Sequence, residues 1–241
     1  MKFCMLIMML FASSFTSAQT LIVGITGDNP PFCSKIDQKN HYFGFDMEIM
    51  DSICKRIQAQ CKYVPMLFAD FFAAIDNQQI DLAIDSIIIT QERQQNFLFS
   101  KPYLTSRVRV LTNLTSAIKS LDDIKNKRIG VRQRNQFKEL ITLLDNNKSI
   151  ITIYRHMPNL IEALTNNEVD AILINNIAAE YWAANNNNQF KLIGSPILLG
   201  KGYGIMAKLG QNDLMNRINK ALQNMDSDGA YLKIYNHYFD N

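Results

Sequence analysis

Short apolar runs alternate with longer segments of helical periodicity along most of this 241-residue chain. In the first unit, residues 21–25 form an apolar run, residues 26–31 are rich in turn formers, and Phe45, Ile49 and Ile53 recur at helical spacing. Strands that alternate with helices are typical of a mostly parallel sheet with helices on both faces. The pattern predicts an α/β fold whose ligands bind at the carboxyl ends of the strands.

The same alternation predicts the remaining elements. Further strands are expected at residues 62–66, 81–84, 108–111, 128–131, 150–154, 171–174 and 203–207. Further helices are expected at residues 71–77, from Thr90 onward as an N-cap, and at 136–144, 158–166, 177–184 and 211–225. Residues 112–120 and 200–204 have compositions typical of hinges or linkers.

The amino-terminal segment predicts export. Met1 and Lys2 give a basic start, an apolar run covers residues 3–15, and small residues at 16–18 suit a signal peptidase. The apolar run of about 13 residues is shorter than the roughly 20 that a membrane-spanning helix needs. We therefore expect residues 1–18 to be a signal peptide and the mature chain to be exported as a soluble protein.

The composition is that of an ordinary globular protein, with 47% hydrophobic and 20% charged residues, which excludes intrinsic disorder. The formal net charge is +3 and Lys and Arg do not cluster, so no nucleic-acid partner is expected. The sequence has no glycine-rich phosphate loop, no paired metal-ligand spacing and no nucleophile elbow. Neither a cofactor, a metal site nor a catalytic residue is therefore predicted.

Cysteine spacing agrees with export. Cys54 and Cys61 fall at the end of a predicted helix and the start of a predicted strand, so a reversal of the chain can bring them together. A disulfide is plausible in an oxidising compartment, and two buried thiols are the alternative. Cys33 has no evident partner.

Polar residues beside one strand end are candidates for ligand binding. Arg93 lies in the first turn of the helix after Thr90, where its guanidinium can meet a carboxylate; a surface salt bridge is the alternative. Asp85 and Ser86 directly follow the strand at 81–84 and can accept from a cation and donate to an anion, or serve as turn residues. Phe68 can form a wall of the site or fill the core.

Seven stretches, taken in order, resemble the polar amino-acid-binding proteins of bacterial ABC importers (solute-binding protein family 3; lysine/arginine/ornithine-, histidine- and arginine-binding types). They are Pro30-Pro31-Phe32, Gly44-Phe45-Asp46, Cys54 through Cys61, Ile89-Thr90-Gln91-Glu92-Arg93, Phe99-Ser100-Lys101-Pro102-Tyr103, Lys127-Arg128-Ile129-Gly130-Val131 and Asp228-Gly229-Ala230-Tyr231. The resemblance spans essentially the whole mature chain.

This resemblance implies a type II periplasmic-binding-protein fold, in which two α/β lobes joined by two hinge strands close on a ligand. Lobe one is expected at residues 19–105 and 203–241, and lobe two with the hinge crossings at 106–202. The resemblance also implies a disulfide between Cys54 and Cys61.

The family pattern implies that Arg93 binds the α-carboxylate of an amino acid. It implies further ligand contacts at Asp85, Ser86, Ile88, Phe68, Asn135 and Gln136. Three positions depart from the pattern: Asn175 replaces the acid that receives the α-ammonium, Thr26 the acid that meets basic side chains, and Asn29 a stacking aromatic. One hypothesis is that Asp85 supplies the missing negative charge; the alternative is that it pairs with Arg93.

The resulting functional prediction is a non-enzymatic one. The protein is expected to bind a small amino acid, arginine or another polar or basic one, and to deliver it as a monomer to an ABC permease in the inner membrane. One alternative is a cyclohexadienyl dehydratase-like enzyme on the same scaffold, and another is a sensor or interaction module with an altered pocket.

Overall fold

The computed structural model describes residues 19–37, 39, 41–133, 137–145 and 148–240. The strands are β1 (Gln19–Ile25), β2 (Asp28–Asn29), β3 (Cys33–Lys35), β4 (Tyr42–Phe43), β5 (Ala59–Pro65), β6 (Leu82–Ala83), β7 (Phe97–Phe99), β8 (Arg107–Asn113), β9 (Arg128–Arg132), β10 (Ile150–Tyr154), β11 (Ala171–Asn175), β12 (Phe190–Leu198) and β13 (Met206–Lys208). The helices are α1 (Phe45–Arg56), α2 (Phe71–Asp76), α3 (Gln91–Asn96), α4 (Phe137–Asp145), α5 (Met157–Thr165), α6 (Asn176–Ala184), α7 (Asn212–Ser227) and α8 (Ala230–Phe239), with 3-10 turns at Phe68–Asp70 and Leu121–Ile124. The predicted signal peptide, residues 1–18, lies outside the described residues.

Two five-stranded sheets form the centres of two lobes, in the orders β5-β1-β6-β13-β7 and β10-β9-β11-β8-β12. In the first sheet β13 runs antiparallel to both of its neighbours, and in the second sheet β8 does the same. The other four pairings of these sheets are parallel. The predicted α/β fold is therefore confirmed, but both sheets are mixed, and the prediction of a mostly parallel sheet was wrong.

Each sheet is covered by helices on both faces because successive side chains of a strand point to opposite sides. Leu21, Val23 and Ile25 of β1 pack in the same cluster as residues of α1 and α7, whereas Ile22 packs against the cluster that contains Phe71 of α2. Burial of these apolar faces contributes about 25 cal/mol for each Å² removed from water. Because both faces of each sheet are apolar and covered, the polar residues of the site lie at the ends of the strands.

Two segments cross between the sheets, residues 100–106 after β7 and residues 199–205 after β12. They run side by side: the Tyr103 amide donates to the Tyr203 carbonyl at 2.9 Å, and the Tyr203 amide donates to the Leu104 carbonyl at 2.8 Å. The stretch 200–204, predicted as a hinge or linker, lies in the second crossing.

The other predicted linker, residues 112–120, is not a crossing. Thr112 belongs to β8 and its hydroxyl donates to the Asp170 carbonyl at 2.7 Å within the second lobe. The polarity of this stretch reflects the end of a strand and the loop that follows it, and the prediction of a hinge there was wrong.

The cysteines of the first lobe have two distinct roles. Cys54 on α1 and Cys61 on β5 form a disulfide with a Cα–Cα distance of 6.1 Å, as the resemblance implied. Cys33 is a free, buried thiol whose sulfur lies 3.4 Å from the Met47 sulfur. Cys33 is therefore a core residue.

Candidate functional site between the lobes

The site lies where strand ends of the two sheets meet. Thr26 follows β1 and Asp85 follows β6 in the first lobe, while Arg132 ends β9 and Asn175 ends β11 in the second. The carboxyl ends of neighbouring parallel strands are the usual ligand edge of an α/β sheet. Here two such edges contribute side chains to one cleft.

Asp85 is the buried centre of the first-lobe edge, with no exposed surface. The Thr26 hydroxyl donates to its Oδ2 at 3.1 Å, and the Asn29 amide donates to its Oδ1 at 3.1 Å. Burial raises the pKa of Asp85 to about 6, although the Arg132 guanidinium opposes the rise. Thr26 and Asn29, both predicted ligand contacts, thus hold Asp85 in place.

The ion-pair partner of Asp85 is Arg132, whose Nη1 lies 3.3 Å from Oδ2. The alternative that Asp85 pairs with Arg93 is therefore wrong. Arg132 is the last residue of β9, so this ion pair joins the two lobes across the cleft. Its side chain is 3% exposed.

Two further residues join this contact between the lobes. Nη2 of Arg132 lies 3.1 Å from Oδ1 of Asp28, and Nδ1 of His156 lies 3.3 Å from Oδ2 of Asp28. Asp28 sits on the two-residue strand β2, whose pairing with β3 fixes its direction. The sequence analysis placed a turn-rich loop at residues 26–31 but missed these pairs.

Arg93 is a buried residue, 6% exposed, rather than a surface ion pair. Its Nη1 donates to the Ile88 carbonyl at 2.9 Å, and its amide donates to the hydroxyl of Thr90, the predicted N-cap of α3, at 3.2 Å. Its guanidinium carbon lies 5.2 Å from the ring centre of Phe72. These contacts fix the head group in one orientation.

Phe68 connects the two guanidinium groups. Its ring centre lies 5.8 Å from the guanidinium carbon of Arg93 and 5.2 Å from that of Arg132. Such cation–π contacts help to stabilise a buried guanidinium. Phe68 is 2% exposed and packs with Phe71 and Phe72, so it is both wall and core.

Ser86 and Asp46 anchor the loop after β6. The Ser86 backbone has a φ of 46°, and its amide donates to Oδ2 of Asp46 at 2.7 Å. Asp46 is fully buried, and burial raises its pKa well above the usual range. The Ser86 hydroxyl accepts from the Asn29 amide at 3.1 Å.

The remaining predicted contacts have different places. Oδ1 of Asn175 accepts from the Ala178 amide at 2.7 Å, so this oxygen caps α6. The Ile88 side chain belongs to the apolar core, and its carbonyl holds Arg93. Asn135 and Gln136 lie outside the described residues.

One acceptor and one donor in the cleft, Oδ1 of Asn29 and Nε of Arg132, are buried without a hydrogen-bond partner among the described residues. Buried polar atoms usually have partners, so this pairing is incomplete. The part of the chain that the structure describes contains no cluster of three or more metal-binding side chains.

A cavity of about 1240 Å³ lies elsewhere. It is lined by residues of both crossings and by Asn176, Tyr181, Tyr235 and Tyr238 of α6 and α8. None of the predicted ligand contacts that the structure describes lines this cavity.

Two α/β lobes, two crossing segments and a polar cleft with side chains from both lobes define a two-lobed binding protein of the type II periplasmic fold. The chain belongs to the bacterial extracellular solute-binding proteins, family 3, whose match covers residues 21–241. The family and fold predicted from the resemblance are both confirmed. Among the described residues, no helix is long and apolar enough to cross a membrane.

Individual relatives agree with this assignment. The chain is 29% identical over 238 residues to the lysine/arginine/ornithine-binding periplasmic protein of Escherichia coli K12, covering 95% of this chain and 91% of the relative. It is 27% identical over 234 residues to a putative ABC transporter arginine-binding protein 2 of the same strain, covering 95% and 94%. A crystal structure of an arginine 3rd transport system periplasmic binding protein from Legionella pneumophila superposes with a TM-score of 0.88 and 37% identity, covering 92% of this chain and all of that one.

Proposed function

We propose that this protein captures an amino acid with a basic side chain, arginine foremost, between its lobes and delivers it to an ABC importer. The observation that carries the proposal is the polar cleft in which Arg93, Asp85 and Asp28 surround one aromatic wall, Phe68. A fixed guanidinium and two carboxylates match the α-carboxylate and the cationic groups of such a ligand.

Arg93 is the proposed carboxylate-binding residue. Its planar head is held by the Ile88 carbonyl and by two aromatic rings, so little conformational entropy is lost when a ligand carboxylate arrives. The unpaired Oδ1 of Asn29 is an acceptor for a donor group of the ligand. The names of the relatives support binding over the dehydratase alternative.

Ligand contacts from both lobes exist together only when the lobes are close, so a ligand favours closure by its differential affinity for the closed state. We assign the lobes to residues 19–105 with 203–241 and to 106–202. We further propose that residues 1–18 direct export to the periplasm and that the protein acts as a monomer. A permease in the inner membrane would recognise the closed form.

Titration calorimetry of the purified protein with arginine, lysine, histidine and glutamine tests this function. Arginine binding that weakens about 10- to 100-fold in Arg93→Lys is expected, because lysine lacks the forked pair of donors. Arg56→Lys, on α1 and paired with Asp228, is the matched control and should bind like the wild type. Absence of binding to every amino acid by the folded wild type would overturn the proposed function.

A further inference from the structure

Arg132 joins the lobes through two different nitrogen atoms. Nη1 lies 3.3 Å from Asp85 and Nη2 lies 3.1 Å from Asp28, so one guanidinium bridges two carboxylates. A lysine ammonium would have to reach both acids from one nitrogen, whereas a guanidinium offers a separate nitrogen to each. The spacing of the two acids therefore matches a guanidinium.

The surroundings of this acid pair complete a pocket for a planar cation. Phe68 presents its ring 5.2 Å from the guanidinium carbon of Arg132. Thr26 and Asn29 donate to the outer sides of Asp85, which fixes the carboxylate and leaves it facing the cation. Flat cations stack on aromatic faces while their edges donate to carboxylates.

Arg132 fits this pocket incompletely. Its Nε is buried with no hydrogen-bond partner among the described residues, and the neighbouring Asn29 keeps an unpaired Oδ1. A guanidinium on a side chain that must stretch across from β9 has a fixed approach to the pocket. A guanidinium on a separate molecule is not tethered to β9, so it can adopt an orientation that forms more hydrogen bonds with these atoms.

We propose that Asp28, Asp85 and Phe68 form a guanidinium subsite which Arg132 fills until a ligand guanidinium displaces it. This inference rests on the proposed function and adds the residues that recognise the side chain of the ligand. Arg132 is thus an internal competitor: it keeps the buried acids paired, and it lowers the apparent affinity of the competing ligand by the fraction of molecules in which it is docked.

The competition predicts how ligands are ranked. Arginine can replace Arg132 with a separate nitrogen for each acid, lysine must serve both acids from one nitrogen, and citrulline, a neutral isostere of arginine, brings no charge to either. Removal of Arg132 leaves the acids unpaired, so affinity for arginine rises while affinity for citrulline does not. A residue that contacts the ligand directly would have the opposite effect on arginine when removed.

The experiment measures dissociation constants of arginine, lysine and citrulline by titration calorimetry for the wild type, Arg132→Gln and Arg128→Gln. Arg128 lies at the other end of β9 and pairs with Asp170, which makes it the matched control. We expect Arg132→Gln to bind arginine at least about 10-fold more tightly than the wild type does. Its affinity for citrulline, and the affinity of Arg128→Gln for arginine, should stay within about twofold of the wild-type values.

Two outcomes would overturn the inference. If the wild type binds arginine and Arg132→Gln binds it equally or more weakly, Arg132 is no competitor, while the proposed function stands. If neither protein binds arginine, the guanidinium subsite is wrong, and the proposed function stands only if the wild type binds another amino acid. Asp28→Asn provides an independent test in case Arg132→Gln folds poorly. This variant should bind arginine about 10-fold more weakly than the wild type does, with the affinity for citrulline unchanged. Equal losses of affinity for both ligands would contradict a guanidinium subsite.

Discussion

Nη1 of Arg132 in the second lobe lies 3.3 Å from Oδ2 of Asp85 in the first, and both side chains are almost completely removed from solvent. A buried ion pair costs desolvation energy on both sides, and breaking it by removing one partner leaves an unpaired buried charge. The contact therefore couples the position of the lobes to the ionisation of Asp85. Any pH or sequence change that affects one partner acts on both lobes.

The pH dependence of stability should carry a contribution from Asp85. Burial raises its pKa in the folded protein from 3.8 to about 6, with Arg132 opposing the rise. Between these pH values the folded protein retains a proton that the unfolded chain has released, so this carboxyl lowers the free energy of unfolding as the pH rises from 3.8 to about 6. The loss amounts to about 3 kcal/mol and is complete above that range.

Urea unfolding of the wild type and Asp85→Asn across this pH range checks the prediction. The wild-type stability minus that of the variant should fall as the pH rises, because asparagine does not titrate. Asp213→Asn, an exposed position in the first turn of α7, serves as the control and should follow the wild type. A constant difference between wild type and Asp85→Asn would contradict the raised pKa.

Much of the fold was predictable because local signals agreed with it. The apolar runs of β1, β9 and β11 and the capping residue Thr90 specify their elements through nearest neighbours in sequence. The strand β12 was not predicted because a register shift between Ile193 and Ile197 interrupts the alternation of its inward-facing and outward-facing residues. The helix α8 escaped because none of its residues is fully buried, so its apolar periodicity is weak.

The candidate site was predictable in part for the same reason. Asp85 and Arg93 follow a strand and open a helix, which are local features. The bridge from Arg132 to Asp28 joins residues 104 positions apart, on different lobes, and depends on how the lobes meet. Local sequence patterns carry no information about contacts between such distant residues. The structure was therefore needed to identify Arg132 as the partner of Asp28 and Asp85.

Gly44 should be essential for the first-lobe loop. Its φ is 133°, and a Cβ there would lie 2.3 Å from the Phe32 carbonyl oxygen, which is backbone and cannot move aside. The same carbonyl accepts from the Asp46 amide at 3.0 Å and so fixes the start of α1. Gly44→Ala is expected to cost about 3 kcal/mol of stability through strain and steric overlap.

Thermal or urea unfolding measures this cost, and Gly210→Ala supplies the control. Gly210 also has a positive φ, 92°, but a Cβ there would meet nothing within 4 Å. Its replacement should cost only the backbone strain, about 1 kcal/mol. Equal losses at the two positions would show that the steric overlap at Gly44 is relieved by movement of the loop.

The bond between Cys54 and Cys61 should stabilise the first lobe modestly, because the bridged residues are seven apart in sequence. A chain-entropy estimate for so short a loop gives about 2.5 kcal/mol. We expect the double variant Cys54→Ala, Cys61→Ala to lose about this much and to become insensitive to reductant. Thiol titration of the unreduced, unfolded wild type should find Cys33 reactive among the cysteines after residue 18; two additional reactive thiols would contradict the bond.

Variants of Asn175 can distinguish a structural role of its side chain from a ligand-binding role. Its Oδ1 caps α6 through the Ala178 amide at 2.7 Å, and Asp serves this capping position as well as Asn. Asn175→Ala is therefore expected to cost about 1 kcal/mol of stability, whereas Asn175→Asp should retain it within about 0.5 kcal/mol. Differential scanning calorimetry of the three proteins compares these costs.

The same pair of variants tests the departure from the family pattern. An acid at 175 lies at the edge of the second sheet that faces the cleft, so Asn175→Asp adds a negative charge where the related proteins are expected to receive the α-ammonium. Affinity for amino acids should rise about 10-fold in Asn175→Asp and stay close to that of the wild type in Asn175→Ala. If Asn175→Asp binds no more tightly although its stability is kept, the α-ammonium is received elsewhere in the cleft, and the acids of the first lobe become the group to test next.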